Sequence, residues 1–397
     1  MDGQMTGELH TPEENEIIGT VARFVKERVR PYVQQLEREG KYPQHLVGEM
    51  MELGLFGLAV PESYGGLGAR IPVLAIILEV LGSGWATLAA YVNSHSTVAY
   101  AIATHGTEQQ KSRYLPRLAT GEHRGALCLS EPGCGSDLQA IKGLAKDAGD
   151  HYDLVASKTY VTNGAKATLL LTLVKHPAVA GETKPKISLL IVEKAYPKVS
   201  VTSTFEKTAF HLVDTVQIEM DGVAVPKAQL LGPAEGMGFP QLMDSLEIGR
   251  VAIAASAVGV AANALSEAKR YASERVAFGV TIDHHQAIQM KLADMATKLV
   301  GARLMTMEAA SAKERGGRCD MITAMAKTYA SDCALEIAHQ AVVIHGGAGY
   351  IRDYVVERLH REALLYTIGE GTNDINRIVI SRRMKGEEEM QYLGLLP

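Results

Sequence analysis

Val-Gln-Ile-Glu-Met-Asp-Gly-Val-Ala-Val, residues 216–225, is the stretch that decides how this chain is divided. Two short apolar-rich runs flank Asp221-Gly222, and Asp-Gly is a typical two-residue turn between paired strands. Tyr160-Val161-Thr162 similarly precedes Asn163-Gly164, a second tight-turn signal. The pattern predicts β-structure in the middle of the chain, with a hairpin at Asp221-Gly222.

The surrounding sequence extends this β region and bounds it with helices. Leu169–Val174 and Ile187–Val192 are further β-like runs, so a small β barrel or sandwich is expected over residues 125–233. Helical patterns occupy both flanks. The predicted helices begin at Pro12, before an interruption at Pro31, and cover about 44–53, 72–118, 251–265, 286–312, 321–345 and 374–385.

The predicted fold class is therefore mainly α with a central β domain. The three parts are an N-terminal helical domain (residues 1–124), a middle β barrel or sandwich (125–233) and a C-terminal helical bundle (234–397). A length of 397 residues agrees with two or three packed units. The glycines at 346 and 347 are a suitable stop for the helix before them.

Composition excludes several classes of protein. The net charge of −5 provides no basic field for nucleic acid and argues against an electrostatic membrane anchor. The sequence contains no run of eighteen apolar residues, so no transmembrane helix is predicted. The acidic start lacks the charged-then-apolar order of a signal peptide. We expect a cytoplasmic protein. No cysteine pair or histidine spacing fits a metal site, so no metal is expected.

The first candidate for chemistry is Leu129-Ser130-Glu131-Pro132-Gly133-Cys134-Gly135-Ser136-Asp137. Glycines let a backbone approach a ligand closely, and hydroxyl and N–H groups can bind the polar edge of a ring or a phosphate. An ordinary turn has the same composition, so both interpretations remain open here. Because no Walker loop or strand–GxGxxG–helix motif occurs, a Rossmann site is not expected.

The second candidate is Glu274-Arg275-Val276-Ala277-Phe278-Gly279. An arginine suits pyrophosphate because its planar guanidinium donates two parallel hydrogen bonds. The ring of Phe278 is suited to lie against a flat ligand. The alternative is a solvated helix end with a surface arginine.

The third candidate is Ile368-Gly369-Glu370-Gly371-Thr372-Asn373-Asp374-Ile375. A carboxylate between two glycines is open to whatever packs above it, and one of the polar residues that follow is suited to cap a helix. An apolar cavity above Glu370 would raise the pKa of its carboxyl toward a value useful for a general base. The alternative is a capped loop with a solvated glutamate.

Taken together and in order, these stretches resemble the acyl-CoA dehydrogenase family over nearly the whole chain. The resemblance is carried by short motifs in both helical parts and in the β part. They are Tyr114-Leu115-Pro116-Arg117-Leu118, Leu129-Ser130-Glu131-Pro132, Gly135-Ser136-Asp137, Thr162-Asn163-Gly164, Arg250, Glu274-Arg275, Phe278-Gly279, Gln286-Ala287, Leu292-Ala293-Asp294-Met295, Ile344-His345-Gly346-Gly347-Ala348-Gly349-Tyr350, Val356-Glu357-Arg358 and Glu370-Gly371-Thr372.

The resemblance implies bound FAD between the β domain and a C-terminal four-helix bundle, in a homotetramer whose neighbouring subunits complete each site. It assigns Glu370 as the catalytic base. The implied cofactor contacts are Leu129, Ser130, Gly135, Ser136, Tyr160, Thr162, Arg275, Phe278, Gln286, Gly346, Gly347, Thr372 and Asp374. The implied substrate contacts are Ser136, Glu247, Arg250, Gly369 and Gly371.

The resemblance also implies a reaction. Glu370 removes the α proton of an acyl-CoA thioester, while a flavin hydroxyl and the backbone N–H of Glu370 stabilise the carbonyl oxygen. The β hydride passes to flavin N5, and the usual electron acceptor is electron-transferring flavoprotein. Three alternatives remain: a dehydrogenase of carrier-protein-bound acyl groups, a flavin oxidase on the same fold, and a non-catalytic acyl-binding protein.

The sequence departs from the family pattern at four positions. Tyr160 stands where tryptophan is usual, Val343 where glutamine is usual, and Gly369 where tyrosine is usual. His211 replaces a residue of a common Gly-x-Arg-like pattern. Some family members carry the base just before the position of Arg250, but that residue is Gly249 here and cannot act as a base.

Overall fold

The computed structural model describes residues 10–178 and 185–394. Its N-terminal part is helical, as predicted. Thr11 caps the first helix in a capping box with Glu14, and a π turn at Val25–Val29 ends the helix just before Pro31. The helices are α1 (Pro12–Phe24), α2 (Val33–Glu39), α3 (Gln44–Glu52), α4 (Ile71–Gly84), α5 (Ala86–His105) and α6 (Glu108–Ala119).

The middle part forms one curled, mainly antiparallel sheet, which agrees with the predicted β domain. Strands neighbour one another in the order β1-β4-β2-β3-β7-β6, and β5 pairs with β4. The parallel pairs among the described strands are β1 with β4 and, through one residue pair, β2 with β4. The strands are β1 (Gly125–Cys128), β2 (Leu144–Asp147), β3 (His151–Thr162), β4 (Leu169–Lys175), β5 (Ile187–Glu193), β6 (Val199–Thr204) and β7 (Thr215–Pro226).

The hairpin predicted at Asp221-Gly222 is wrong. These residues lie inside β7, which is paired with β3 on both sides of them. Opposite Leu154 and Val155, the register skips Gly222, whose φ is +71°. Gly222 is therefore the extra residue of a β-bulge, a position that favours glycine for the same reason that a hairpin turn does. The turn predicted at Asn163-Gly164 is confirmed directly after β3.

The C-terminal part is a helical bundle built around α7 (Gly238–Glu274), which is 37 residues long. A two-stranded ribbon, β8 and β9, separates α7 from α8. The remaining elements are β8 (Val276–Ala277), β9 (Val280–Thr281), α8 (Gln286–Glu314), α9 (Asp320–His345), α10 (Val356–Tyr366), α11 (Asn373–Arg383) and α12 (Glu387–Tyr392). The predicted helix 251–265 is thus the middle of a much longer one.

Helix α7 crosses α4 at close range through small residues. A Cβ atom added at Gly259 would lie 2.2 Å from the carbonyl oxygen of Glu79, and one added at Gly82 would lie 2.7 Å from that of Ser256. One apolar core therefore joins the N-terminal helices to the bundle. Helix α7 is long and apolar enough to cross a membrane by composition, but 89 % of its most apolar segment is buried inside the protein.

Candidate active site

Glu370 lies on the short connection between α10 and α11, and its backbone conformation is strained. Its φ is +55°, in the left-handed region that residues with a side chain rarely adopt. In the described residues, six non-glycine positions have positive φ, and three of them, Tyr160, Phe278 and Glu370, are predicted site residues. Such strain persists where the surrounding structure enforces it, and it concentrates at functional sites.

The Glu370 carboxylate lies directly over Gly249 of α7. A Cβ atom at residue 249 would be 2.8 Å from Oε2 and 3.0 Å from Cδ of Glu370. Because residue 249 has no side chain, the carboxylate occupies the space that a side chain there would fill. The two alternative positions for a base in this family resemblance are therefore in contact, and in this chain only one of them carries a carboxylate.

Two buried cations act on this carboxylate from neighbouring helices. Burial raises the pKa of Glu370, and the charges of Arg250 on α7 and Lys327 on α9 oppose that rise without cancelling it. In the described part of the chain, no hydrogen bond restrains the carboxylate of Glu370. It is thus a partly buried carboxylate with a raised pKa and no fixed partner, as a general base requires.

Lys327 is a site residue that the sequence analysis missed. Its side chain is 0 % exposed, and Nζ donates to the carbonyl oxygen of Gly371 and to Oδ1 of Asn373, both at 2.8 Å. The available signal was a single lysine within Met321–Ala330, a run of small and apolar residues on a helix. A lysine in such a run is expected to be buried with its neighbours. Because charged side chains are rarely buried unless they are paired, it indicates a specific polar partner.

Glu247 and Arg250, both predicted near the substrate, lie on α7 beside the base. The Glu247 carboxylate accepts from Lys313 Nζ at 2.7 Å and from the Cys319 thiol at 3.1 Å, so it is already occupied. Arg250 is 6 % exposed, and its Nε has no hydrogen-bond partner within the described residues. Glu370 is consequently the better placed of the two carboxylates to take a proton.

The predicted loop of the β part lies at the end of β1. Leu129 packs against an apolar cluster to which Leu242 and Leu246 of α7 contribute. Ser130 is partly buried, whereas Gly135 and Ser136 are exposed. The loop thus presents the hydroxyl of Ser136 and the backbone of Gly135 to the surface.

A buried ion pair holds this loop on the sheet. Lys158 Nζ on β3 donates to Glu131 Oε1 at 2.7 Å and to the carbonyl oxygen of Leu129 at 3.2 Å. Oε1 of Glu131 also accepts from the backbone N–H of Gly143, and Oε2 accepts from the backbone N–H of Lys142. Because both partners are buried, the loop is fixed by charge-assisted bonds that water does not weaken.

Tyr160 lies at the end of β3, next to the partly buried Thr162. The Tyr160 side chain is 66 % exposed, and its ring lies 5.1 Å from that of Phe205 between centroids. The sheet register shifts between Lys158 and Val161, so the ladder is irregular where Tyr160 turns outward. An exposed aromatic ring is thereby fixed at the edge of the sheet.

The other predicted cofactor residues gather at the far end of the bundle. Arg275 follows Arg250 by 25 residues, which is about 38 Å along a helix. The stacked rings of Tyr271 and His345 place the end of α9 at the same end of the bundle. The exposed residues there are Arg275, Phe278, Gln286, Gly346 and Gly347. One chain therefore places these residues well away, along α7, from Arg250 and the base.

Thr372 and Asp374, predicted as cofactor contacts, follow the base. Thr372 Oγ1 accepts from the backbone N–H of Ile375 and caps α11, which confirms the predicted capping. Asp374 is exposed and pairs with Arg377 at 3.1 Å. Both residues lie near Glu370 and away from the cluster around Arg275.

Three family models match consecutive parts of the chain. The N-terminal, middle and C-terminal domain models of acyl-CoA dehydrogenase match residues 11–122, 126–223 and 236–385. The chain belongs to the acyl-CoA dehydrogenase family. This family of enzymes binds FAD, and the three-part fold found here is the fold of its members.

Individual relatives agree with this assignment. The chain is 38 % identical to an acyl-CoA dehydrogenase of Bacillus subtilis, covering 95 % of this chain and 100 % of the relative. It is 36 % identical to the CarC subunit of the caffeyl-CoA reductase–Etf complex of Acetobacterium woodii, covering 94 % and 98 %. Butyryl-CoA dehydrogenase of Megasphaera elsdenii has a similar structure, with a TM-score of 0.91, 31 % identity and coverage of 97 % and 100 %.

The four departures from the acyl-CoA dehydrogenase pattern can now be placed. Tyr160 and Val343 are both exposed, at the sheet edge and near the end of α9. His211 lies 3.4 Å from the guanidinium of Arg361 on α10, the helix that precedes the base loop. A Cβ added at Gly369 would meet only the carbonyl oxygen of Leu365, at 3.6 Å, so the space beside the base is open.

The residues of this chain fit FAD. Phe278 is 97 % exposed and held at a φ of +53°, which presents an aromatic ring to a partner outside the chain. Cβ atoms added at Gly133, Gly346 or Gly347 would meet no atom within 4 Å, so these backbones are open to close approach. With the exposed Arg275, these features supply the ring contacts, N–H groups and positive charge that a flavin dinucleotide requires.

Replacing Arg275 with alanine is expected to weaken FAD binding. The guanidinium is exposed at the end of α7 and is predicted to donate to the pyrophosphate. A hydrogen bond to a charged group contributes on the order of 1.5–3 kcal/mol, so the affinity should fall roughly ten- to a hundred-fold. Equilibrium titration of the apoprotein with FAD measures this change, with Arg270→Ala on the same helix as the control. Unchanged FAD affinity in Arg275→Ala would disprove the placement.

Proposed function

We propose that this protein catalyses the α,β-dehydrogenation of an acyl-CoA thioester to the trans-2-enoyl thioester, with Glu370 as the base. The observation that carries the proposal is the Glu370 carboxylate itself. It rests on Gly249, between Arg250 and Lys327, with a raised pKa and no hydrogen bond from the described residues.

The chemistry follows from these surroundings. The α C–H bond of a thioester is a very weak acid, so its removal needs a base of raised pKa and a stabilised carbonyl oxygen. The backbone N–H of Glu370 donates to no acceptor within the described chain, so it is free to bind that oxygen. The N–H and the carboxylate both belong to Glu370, which lies on one short loop and has a left-handed φ. FAD, when bound, supplies the acceptor for the β hydride.

Burial of Glu370 also sets how the reaction rate should depend on pH. Because the pKa of Glu370 is raised, the carboxylate form that accepts the proton is lost at a higher pH than for an ordinary glutamate. An acyl chain that covers Glu370 removes more water and raises this pKa further, which strengthens the base. The same closure excludes water from the thioester oxygen, so hydrogen bonds stabilise the negative charge that develops there more strongly.

The opposite direction is the second candidate function. The Acetobacterium woodii relative is named as a subunit of a caffeyl-CoA reductase complex, so the same fold also serves enoyl-CoA reduction. The two functions share every residue discussed above. The physiological electron carrier, and not Glu370, decides between them.

Anaerobic titration separates the two functions. The FAD-loaded protein is mixed with butyryl-CoA, isobutyryl-CoA, glutaryl-CoA and 3-phenylpropionyl-CoA, and flavin absorbance is followed. The dithionite-reduced protein is mixed with the matching enoyl-CoAs. The proposal predicts that at least one saturated thioester bleaches the flavin and yields its enoyl-CoA. Bleaching by none of them, with rapid reoxidation by an enoyl-CoA, would favour the reductase.

We also propose a homo-oligomer and electron-transferring flavoprotein as the electron partner. Arg275 lies about 38 Å along α7 from Arg250, which is beside the base, and this separation supports a site that a second copy of the chain completes. The exposed Phe278 and Tyr350 agree with such a contact. The name of the Acetobacterium woodii relative includes Etf, which supports the choice of electron partner.

Gly369 is expected to permit bulky or branched acyl groups. The open space beside it adjoins the base, where the family usually carries tyrosine, and its φ does not require glycine. The variant Gly369→Tyr should therefore shift preference from α-branched toward straight chains of equal carbon count. The measurement is the ratio of kcat/KM for butyryl-CoA and isobutyryl-CoA, with Gly369→Ala as the control. An unchanged ratio in Gly369→Tyr would contradict the expectation.

A further inference from the structure

Lys327 combines three properties that a purely structural side chain rarely shares. It is fully buried, it donates to the residue that follows the proposed base, and in the described chain it has no hydrogen-bonded carboxylate to neutralise it. Burying an unpaired ammonium is costly. Among the described residues, the other two fully or nearly fully buried lysines do have such carboxylates, Glu131 for Lys158 and Glu247 for Lys313.

The loop that Lys327 contacts is the one that needs external support. Glu370 and Gly371 both have left-handed φ, +55° and +81°. The carbonyl oxygen of Gly371 accepts from Lys327 Nζ at 2.8 Å and from Asn376 Nδ2 at 2.9 Å. Two donors on one carbonyl fix the peptide between Gly371 and Thr372, one residue beyond Glu370, and so restrain the loop that carries the base. Strained conformations of this kind persist only when the surroundings hold them.

The second acceptor of Lys327 connects it to a buried network. Asn373 Oδ1 accepts from Lys327 at 2.8 Å, and Asn373 Nδ2 donates to Asp332 Oδ1 at 2.7 Å. Ser331 hydrogen-bonds to the same asparagine. The network ties the start of α11 to α9, so the loop is held on the C-terminal side of Glu370. Lys327 is therefore immobilised beside Glu370 and is not a flexible surface charge.

We propose that Lys327 is a positioning residue of the reaction, which fixes the Glu370 loop through the Gly371 carbonyl and supplies the positive charge that balances the Glu370 carboxylate. This inference rests on the proposed role of Glu370 as the base. It assigns one buried ammonium two tasks, orientation of the base and control of the pH range in which the base is ionised.

The charged groups around the pair are few. Arg250 from α7 and Lys327 from α9 act on Glu370. Glu370, Asp332, Arg250 and Arg377 act on Lys327. Burial lowers the pKa of Lys327 to about 8, and the nearby carboxylates oppose this fall. The ammonium is thus charged at neutral pH, where its charge lowers the pKa of Glu370. Without it, only Arg250 opposes the effect of burial.

The test is the pH dependence of anaerobic flavin bleaching in the FAD-loaded protein, measured with the best saturated acyl-CoA of the titration above. In Lys327→Met, the acid limb of the bleaching rate should move to higher pH by on the order of one unit, because an opposing charge near the carboxylate is lost. The rate at the optimum should fall about tenfold or more, because the loop loses a donor. Lys269→Met, which removes an exposed lysine of α7, should match the wild type.

Two further variants separate charge from position. Lys327→Gln retains a hydrogen-bond donor but no charge, so its acid limb should lie at higher pH, as in Lys327→Met. If Lys327→Met does not fold, Lys327→Gln tests the effect of the charge in its place. Lys327→Arg retains the charge and should keep the wild-type limb. A wild-type acid limb and rate in both neutral variants would overturn the inference. Failure of every saturated thioester to bleach the wild type would instead refute the proposed function.

Discussion

Glu370→Gln should bind FAD and acyl-CoA normally and yet reduce its flavin at least roughly 10²–10⁴-fold more slowly than the wild type. Glutamine keeps the size of the side chain but cannot take a proton. No described residue donates a hydrogen bond to the Glu370 carboxylate, so its removal should leave little structural damage. The measurement is stopped-flow flavin absorbance under anaerobic conditions.

Glu247→Gln is the matched comparison, because Glu247 is a buried carboxylate on α7, two residues before Gly249. Its partners are Lys313 and Cys319, so that variant should lose stability or substrate affinity before it loses the proton-transfer step. Rapid flavin reduction in Glu370→Gln together with slow reduction in Glu247→Gln would show that the base has been misassigned.

Gly249→Ala should also lower the rate of flavin reduction strongly, by roughly 10²-fold, without loss of folding. The added Cβ would lie 2.8 Å from Glu370 Oε2, so the carboxylate must move. A displacement of about 1 Å from the reacting atoms is enough for an effect of that size. Alanine is favoured over glycine inside a helix, so α7 itself should not suffer.

Gly369→Ala provides the control for this variant. It adds the same single carbon atom next to the base, but its nearest contact would be at 3.6 Å, so the carboxylate can stay in place. In the double variant Glu370→Gln with Gly249→Glu, some reduction should return, because residue 249 faces the same space as Glu370. Equal rates for Gly249→Ala and wild type would show that the carboxylate does not rest on Gly249 in the working enzyme.

The sequence predicted the fold well where the apolar periodicity was clear and where helix-starting and helix-ending residues were present. Pro12 with its following glutamates and the glycines after His345 marked true helix ends. The Asp221-Gly222 hairpin was wrong because a tight turn and a β-bulge both require a glycine with positive φ. Only pairing with a distant strand, β3, decides between the two, and local sequence does not contain that information.

The candidate site was predictable where a motif stood on a loop. Glu370, between two glycines, lies where the family resemblance placed the base loop, and Thr372 caps the next helix. Lys327 was missed because its role depends on two contacts with residues more than forty positions away. The distance of Arg275 from Arg250 was also hidden, because it depends on the length of α7, which was predicted too short.

The fate of the α hydrogen tests the central claim most directly. The wild type and Glu370→Gln are mixed anaerobically with an acyl-CoA that carries deuterium at both α positions, and with its unlabelled form. If Glu370 removes the α proton, deuterium should slow bleaching of the wild-type flavin, and one label should appear in solvent for each enoyl-CoA formed. Equal bleaching rates for the two substrates, with Glu370→Gln as fast as the wild type, would contradict the account.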